Sequence, residues 1–159
     1  MSTPNILLTR IDNRLVHGQV GVTWTGSLGA NLILVANDEA AGDPVQQQLM
    51  DMVVAEGVQT RYFTLSKTAE VIHKAAERQK ILIVCKTPRD VLTLVEGGVP
   101  IKQINVGNMH FADGKRQIHK TVSVDEDDIA AFRELEARGI HCEIRRVPDE
   151  VGEPISRLL

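Results

Sequence analysis

The segment RIDNRLVHGQV, residues 10–20, places several ionisable side chains directly after the first apolar run of the chain. Turns are usually built from Gly, Pro, Asn, Asp and Ser, each for a backbone reason. This segment instead carries Arg10, Asp12, Arg14 and His17, with apolar residues between the charges. These residue types predict a chemical role for a loop that is partly turned inward.

His17 is the candidate nucleophile of this loop. Imidazole titrates near neutral pH and keeps a neutral, nucleophilic fraction. Gly18 and a helix-like sequence follow, and the N–H groups of a helix start attract phosphate. Arg14 supplies a planar fork for phosphate oxygens, and Asp12 can hold a ring nitrogen or pre-position the arginine. The set predicts phosphoryl transfer through a phosphohistidine. From these residues alone, a helix-capping histidine beside an arginine–aspartate pair that ties the loop down remains the alternative.

Composition excludes several other classes of function. The net charge of −3 and the pI near 5.9 argue against broad nucleic-acid binding. No apolar run approaches the roughly 20 residues that span a bilayer, and residues 1–10 lack the features of a signal peptide. Cys85 and Cys142 lie in apolar runs, which predicts buried thiols in a reducing, cytoplasmic compartment. No zinc or nucleotide motif is present, so we expect neither a metal nor another cofactor.

Short apolar runs alternate with helix-like segments along the whole chain. The predicted strands are 5–9, 31–36, 58–64, 80–86 and 101–107. Helix starts are indicated by Asp43 before Pro44, by Ser66, by Thr87 before a proline, and by the acidic run near 125. The alternation predicts one α/β domain over 1–159, an open, mainly parallel, doubly wound sheet with helices on both faces.

Ligands of such sheets bind beyond the carboxyl ends of the strands. Besides residues 10–17, this rule selects Asp38, Lys86 and the loop 107–115 with His110. Asp38 could help to position the first loop or could cap the next helix, and His110 could flank the phosphate or lie in an exposed turn. Trp24 is predicted to pack in the core, and His73, His119 and His141 are given no role in the site.

Several blocks resemble one known family in order and over essentially the whole chain. They are RIDNRLVHGQV, VANDEAA, LVEGGVPIKQINVGNMHF, KTVSVDEDDIAAFRELEARGI and EIRRVP. They look like the IIB component of the mannose-type sugar phosphotransferase system (PTS), which includes mannose, fructose, sorbose and N-acetylgalactosamine transporters. The sequence as a whole looks closest to the N-acetylgalactosamine/galactosamine branch.

The resemblance implies a cytoplasmic phosphotransferase. His17 corresponds to the family's phosphorylated histidine, modified on Nδ1, and Arg14 and Asp12 to its loop arginine and aspartate. Arg10, Asn13, Gly18, Gln19, Asp38 and His110 are expected to support the phosphate. The implied partners are the IIA component as phosphoryl donor and the IIC/IID membrane permease that holds the sugar. No insertion into the membrane is expected, and homo-oligomerisation stays open.

A locally positive surface is expected around His17. Arg10, Arg14, Lys86 and Lys115 are the cations predicted to form it, and such a surface would steer acidic partners. Two other classes fit the sequence less well. A receiver-like signalling domain needs an acidic pair after the first strand, where this chain has Thr9 and Arg10, and a nucleotide-binding module needs a glycine fingerprint that is missing.

Overall fold

The computed structural model describes residues 3–159, so Met1 and Ser2, where the signal-peptide expectation begins, lie outside the described residues. The strands are β1 (Asn5–Asp12), β2 (Leu32–Ala36), β3 (Gln59–Phe63), β4 (Lys80–Cys85), β5 (Gln103–Asn108), β6 (Arg116–His119), β7 (Val122–Val124), β8 (His141–Ile144) and β9 (Glu153–Pro154). The α-helices are α1 (Thr25–Leu28), α2 (Asp38–Ala41), α3 (Pro44–Asp51), α4 (Leu65–Val71), α5 (Pro88–Glu96) and α6 (Glu126–Ala137). A π-helical segment, Gln19–Trp24, leads into α1, and short 3₁₀ turns occupy Ile72–Lys74 and Ile155–Arg157.

Seven strands form one sheet in the order β3-β2-β4-β1-β5-β8-β9. All neighbouring pairs are parallel except the last, β8 with β9. The hairpin of β6 and β7 stands apart as a second, antiparallel sheet. The predicted open, mainly parallel sheet is confirmed.

Helices cover both faces of the sheet, as predicted. Along β4, Ile81, Ile83 and Cys85 pack in one core cluster with α5 and α6, whereas Leu82 and Val84 pack in a second cluster with the π-helical segment and α3. This alternation follows from the two-residue period of a strand. Both faces are buried, which explains why the strand reads as a continuous apolar run.

Local signals place several helix starts correctly. The side chain of Asp43 caps α3 ahead of Pro44, and the side chain of Thr87 caps α5. Asp125 and Asp128 form a reciprocal capping box at α6. Helix α4 begins one residue before the predicted Ser66, because Thr64 provides the cap.

The first strand is longer than predicted, and this changes the picture of the site. β1 runs to Asp12, not to Thr9, so Arg10 and Asp12 belong to the strand and not to a loop. Being two residues apart, they lie on the same face of the sheet. Within residues 3–159, no helix combines the length and the apolar character needed to cross a bilayer.

Candidate phosphoryl-transfer site

The carboxyl ends of three neighbouring strands meet at the site. β1 lies between β4 and β5, with Ile11 in register with Cys85 and Asp12 in register with Asn108. The chain then leaves the sheet through a tight turn toward His17. The site therefore lies where this fold class binds its ligands.

The turn after β1 contains a strained backbone at a buried residue. Leu15 has φ 60°, the only positive φ of a non-glycine residue within the described chain, and its N–H donates to the carbonyl of Asp12 at 2.9 Å. Its side chain is 1% exposed. A left-handed non-glycine residue costs about 1–3 kcal/mol and persists where the surroundings hold it. Burial of Leu15 thus fixes the path by which the chain brings His17 back over the end of β1.

A helix begins directly after His17. The N–H groups of Val20 and Gly21 donate to the carbonyl of His17 at 3.0 and 2.8 Å, and the following turns are π-helical. Such segments are rare and occur often at functional sites. The prediction that His17 sits at a helix start is confirmed.

Asp12 holds the side chains of the site together. Its Oδ2 accepts from Nη2 of Arg10 at 3.0 Å, from Nη2 of Arg14 at 3.1 Å and lies 2.9 Å from Nε2 of His17. Its Oδ1 accepts from the backbone N–H and the Nε of Arg14, at 3.0 and 3.1 Å. The carboxylate is fully buried, so these contacts replace its hydration.

The contacts keep Asp12 ionised. Burial acts to raise the pKa of Asp12, but hydrogen bonds from His17 and Arg14 and the charge of Arg10 outweigh burial and hold that pKa well below its usual range. An ionised carboxylate only accepts hydrogen bonds. At neutral pH the Asp12–His17 contact therefore requires a proton on Nε2 of His17.

This contact defines which ring nitrogen is free to react. In a neutral imidazole, a proton on Nε2 leaves the lone pair on Nδ1. Nδ1 of His17 makes no hydrogen bond within residues 3–159, and the His17 side chain is 20% exposed. The geometry thus orients the ring so that, in its neutral form, the lone pair lies on the nitrogen that has no protein partner among the described residues.

The two arginines occupy different environments. Arg14 is 37% exposed in its side chain and donates to Asp12 through Nε and Nη2, while its Nη1 has no protein partner among the described residues. Arg10 is 0% exposed and lies beneath Asp12. The expectation that Arg10 contributes to the surface around His17 is wrong, because the side chain follows the buried face of β1.

The amino-acid sequence matches a family model over nearly its whole length. The model for the "PTS system sorbose subfamily IIB component" matches residues 6–159. The chain belongs to this IIB family.

Similar proteins align with most or all of this chain. The "N-acetylgalactosamine-specific phosphotransferase enzyme IIB component 2" of Escherichia coli K12 is 63% identical over 156 residues, covering 98% of this chain and 99% of that protein. A crystal structure of an N-acetylgalactosamine IIB component from Streptococcus pyogenes superposes with a TM-score of 0.94 at 39% identity, with complete coverage of both chains. The mannose-specific EIIAB component of E. coli K12 is 44% identical over 143 residues, which are 88% of this chain and 44% of that protein.

Three of the residues predicted to support the IIB site lie beside its main side chains. Gln19 accepts from Nη2 of Arg14 through Oε1 at 3.4 Å, and Gly18 occupies the exposed position before the π-helical segment. The backbone N–H of Asn13 donates to the carbonyl of Asn108 at 3.1 Å, which ties the turn to the end of β5.

Asp38 and His110 do not join the Asp12 cluster. Oδ1 of Asp38 accepts from the backbone N–H of Leu65 at 2.9 Å, so Asp38 ties the start of α4, while Asn37 caps α2. The proposed support of the first loop by Asp38 is therefore not seen. His110 is exposed and lines a cavity of about 230 Å³ together with Asn13, Lys86, Thr87, Met109, Ala112 and Lys115.

The positive surface is smaller than predicted. Arg10 is buried, and Nζ of Lys115 is bound to Asp128 at 2.9 Å. Arg14 and Lys86 remain exposed, the latter 3.9 Å from a carboxylate oxygen of Glu39. The buried thiols Cys85 and Cys142 and the buried Trp24 agree with the sequence predictions.

Some of the site could not be inferred from residue types. Leu15 in a left-handed conformation has no sequence signal, because glycine or asparagine is the residue expected there. Arg10 looked like a surface cation, and only the partners that meet it in the folded chain explain its burial. No group of three His, Cys, Asp or Glu side chains within residues 3–159 is arranged to hold a metal ion.

Proposed function

We propose that this IIB chain is a phosphocarrier that accepts a phosphoryl group on Nδ1 of His17 from the IIA component. It then passes this group to a sugar held by the IIC/IID permease. IIB components of this transport system work with IIA and IIC/IID components, and the resemblance of the charged segment supports the same roles here. The receiver-like alternative loses its basis with the family assignment.

The observation that carries the proposal is the 2.9 Å contact between Nε2 of His17 and the buried Asp12 carboxylate. The ionised carboxylate accepts a hydrogen bond from Nε2, which holds the ring proton on that nitrogen and leaves Nδ1 as the nucleophile. The same relation between a carboxylate and a histidine fixes the tautomer in other nucleophilic and metal sites.

The chemistry balances without a cofactor. The lone pair of Nδ1 attacks the phosphorus of the donor's phosphohistidine, the new P–N bond forms, and the donor's ring nitrogen leaves with the electron pair of the old bond. In the second step the oxygen of a sugar hydroxyl attacks the phosphorus, Nδ1 leaves, and the hydroxyl proton passes to a base. Asp12 stabilises the positive charge that develops on the ring while phosphorus is transferred.

Arg14 is the cation suited to the transferring group. Asp12 fixes the guanidinium through Nε and Nη2, which leaves Nη1 directed away from these bonds. A preorganised cation acts most strongly on the charge spread over the equatorial oxygens of the transition state. Arg14 therefore accelerates transfer without binding the ground state strongly.

The proposed sugar is N-acetylgalactosamine or galactosamine. The relative at 63% identity is named for N-acetylgalactosamine, and so is the Streptococcus pyogenes structure. In the proposed cycle the permease selects the sugar. Membranes that contain the IIC/IID permease, supplied with this chain and phosphorylated IIA component, should phosphorylate N-acetylgalactosamine or galactosamine in preference to mannose and fructose.

A labelling experiment tests the carrier function. Purified chain incubated with phosphorylated IIA component should take up about one phosphate, in a form that is lost in acid and kept in base, as expected for a single histidine nucleophile. His17→Ala should take up none, and His73→Ala, which changes an exposed histidine far along the chain, should behave as wild type. Uptake by His17→Ala at the wild-type level would refute the proposal, and a label stable in acid but lost in base would identify an acyl phosphate instead.

A further inference from the structure

Arg10 is the largest fully buried side chain of the described protein. A buried ion pair often contributes no more to stability than apolar side chains of the same volume. Arg10 donates two hydrogen bonds to Asp12, through Nε at 3.3 Å and Nη2 at 3.0 Å. Its third nitrogen, Nη1, is bound by residues far along the chain. The phosphocarrier role does not explain these additional contacts.

Asn105 on β5 binds the guanidinium on the side opposite Asp12. Its Oδ1 accepts from Nη1 of Arg10 at 2.7 Å, and its Nδ2 donates to the carbonyl of Arg145 at 2.8 Å. The same carbonyl accepts from Nη1 of Arg10 at 3.2 Å. Asn105 is 4% exposed, and because both ends of its amide are bonded, its orientation is fixed.

Trp24 covers the flat face of the guanidinium. Cζ of Arg10 lies 5.4 Å from the centroid of the indole, within the range of a cation–π contact. The indole is itself anchored, since Nε1 donates to the carbonyl of Arg146 at 2.9 Å. Two successive carbonyls after β8 thus hold the two residues that enclose Arg10.

Gly107 closes the remaining side. A Cβ at this position would overlap the guanidinium of Arg10. The end of an arginine side chain can usually move aside, but this one is bonded to Asp12 and Asn105 and has no exposed surface. Gly107 is therefore the residue whose missing side chain makes the space that Arg10 fills.

We propose that Asn105, Gly107 and Trp24 are positioning residues that enclose Arg10 and so fix the direction in which Asp12 presents its carboxylate to His17. Arg10 and His17 share one oxygen atom, Oδ2 of Asp12. A shift of the guanidinium moves that oxygen and with it the partner of Nε2. Displacements of about 1 Å at a reacting group cost on the order of 100-fold in rate. The catalytic consequence rests on the proposed function, whereas the geometric claim does not.

Two variants open this enclosure from different sides, and a third serves as a control. Asn105→Ala removes the hydrogen-bond acceptor of Nη1 of Arg10, and Gly107→Ala adds a methyl group against the guanidinium. Asn37→Ala removes another buried asparagine, which caps α2 through the N–H of Ala40 and makes no side-chain hydrogen bond to Asp12, Arg10 or the residues around it. This control shows how a comparable loss of stability by itself affects the His17 tautomer and phosphoryl transfer.

The first readout is the ¹H–¹⁵N spectrum of the His17 ring in the unphosphorylated protein. Wild type and Asn37→Ala should show one tautomer, with the proton on Nε2. Asn105→Ala and Gly107→Ala should show a mixture of tautomers. The second readout is phosphoryl transfer from phosphorylated IIA component, where kcat should fall about 100-fold in both variants while KM for the donor protein is unchanged, because the enclosure lies beneath the docking surface.

Trp24 provides a conservative rescue. Trp24→Phe keeps an aromatic face against Arg10 and should retain more transfer activity and more of the Nε2–H tautomer than Trp24→Leu. If Gly107→Ala does not fold, Asn105→Ala, which only removes atoms, carries the test. The proposal is overturned if folded Asn105→Ala shows the wild-type tautomer and the wild-type kcat, or if Asn37→Ala loses as much transfer as it does. A wild-type protein that takes no phosphate on His17 would instead refute the proposed function and leave the tautomer test standing.

Discussion

Replacing Asp12 by asparagine changes the charge of the site with almost no change of shape. Oδ2 of Asp12 accepts from Arg10 and Arg14 and meets Nε2 of His17, with contacts of 3.0, 3.1 and 2.9 Å. An amide has one oxygen to accept and one NH₂ to donate. Oδ2 is the atom that faces His17, so an NH₂ in its place forces Nε2 to accept, moves the ring proton to Nδ1 and blocks the nucleophilic position. An amide oxygen in its place keeps the proton on Nε2 but lacks the negative charge that stabilises the ring during transfer.

Two effects follow from Asp12→Asn, and they differ in kind. The fully buried Arg10 loses its counter-ion, and breaking such a buried pair costs about 3–5 kcal/mol of unfolding free energy. For a chain of this size each kcal/mol corresponds to roughly 2–4 °C in Tm, so we expect a fall of about 6–20 °C. Loss of the correct histidine tautomer, or of the negative charge beside the ring, should lower the transfer rate by about 10²–10⁴-fold, the upper value being that known for an aspartate-to-asparagine change in a catalytic triad.

The assay compares two quantities, the melting temperature and the initial rate of phosphate uptake from phosphorylated IIA component. The rate is measured well below the Tm of the variant. Asp128→Asn is the matched control, because Asp128 is also a buried carboxylate with a salt bridge, to Lys115 at 2.9 Å, but lies at the start of α6. It should lose stability and keep transfer. A folded Asp12→Asn protein that transfers phosphate within about twofold of wild type would refute the tautomer argument.

Three further predictions follow from the same geometry. Arg14→Ala should lower the transfer rate about 100-fold. It should also lower the unfolding free energy by about 1–3 kcal/mol, because the buried Asp12 carboxylate loses its hydrogen bonds from Nε and Nη2 of Arg14. Arg14→Lys should be impaired in transfer as well because it loses the fork, and a wild-type transfer rate in Arg14→Ala would refute the role given to Arg14. The pKa of Asp12 is lower in the folded than in the unfolded chain, so its ionisation stabilises the fold above about pH 4, and this contribution is lost as pH falls further. Unfolding free energies from urea titrations at pH 6 and below should therefore fall more steeply with pH for wild type than for Asp12→Asn. Equal slopes for the two proteins would contradict this prediction. In an NMR titration with unphosphorylated IIA component, chemical-shift changes should centre on residues 10–20 and the loops near 38, 86 and 110. They should weaken as salt rises, because Arg14 and Lys86 attract acidic partner surfaces. Chemical-shift changes confined to the amino-terminal ends of the strands, or insensitive to salt, would refute this docking.

Local chemistry explains which parts of the fold were predictable. Asp43 before Pro44, Thr87 before Pro88, and Gly139 after α6 with φ 82° each act through their own backbone neighbours, so their types are informative without any tertiary contact. The continuous apolar runs of β2 and β4 likewise follow from burial on both faces. These signals are sufficient to predict the class of sheet.

Long-range contacts explain what was missed. Strand β8 has four residues, two of them polar, and its parallel pairing with β5 involves residues about forty positions away. Arg10 is buried because Asn105 and the carbonyl of Arg145 receive its N–H groups, at sequence separations of 95 and 135. No property of Arg10 or its neighbours in sequence encodes those partners.

The candidate site divides in the same way. His17, Asp12 and Arg14 lie within six residues, so their mutual contact could be anticipated from one loop. Asp38 was selected only because it follows a strand, and its carboxylate instead binds the N–H of Leu65. The end of a strand predicts a neighbourhood, whereas the partner of each side chain depends on the packing of the loops.

The position of the phosphoryl group on the ring tests the central claim most directly. The chain is labelled with ¹⁵N in histidine and phosphorylated by the IIA component, and ³¹P and ¹H–¹⁵N spectra are recorded. We predict one phosphohistidine, at His17, with phosphorus bonded to Nδ1 and the proton retained on Nε2, because Nε2 donates to Asp12. Phosphorus on Nε2 of His17, or on any of the other four histidines, would contradict the account.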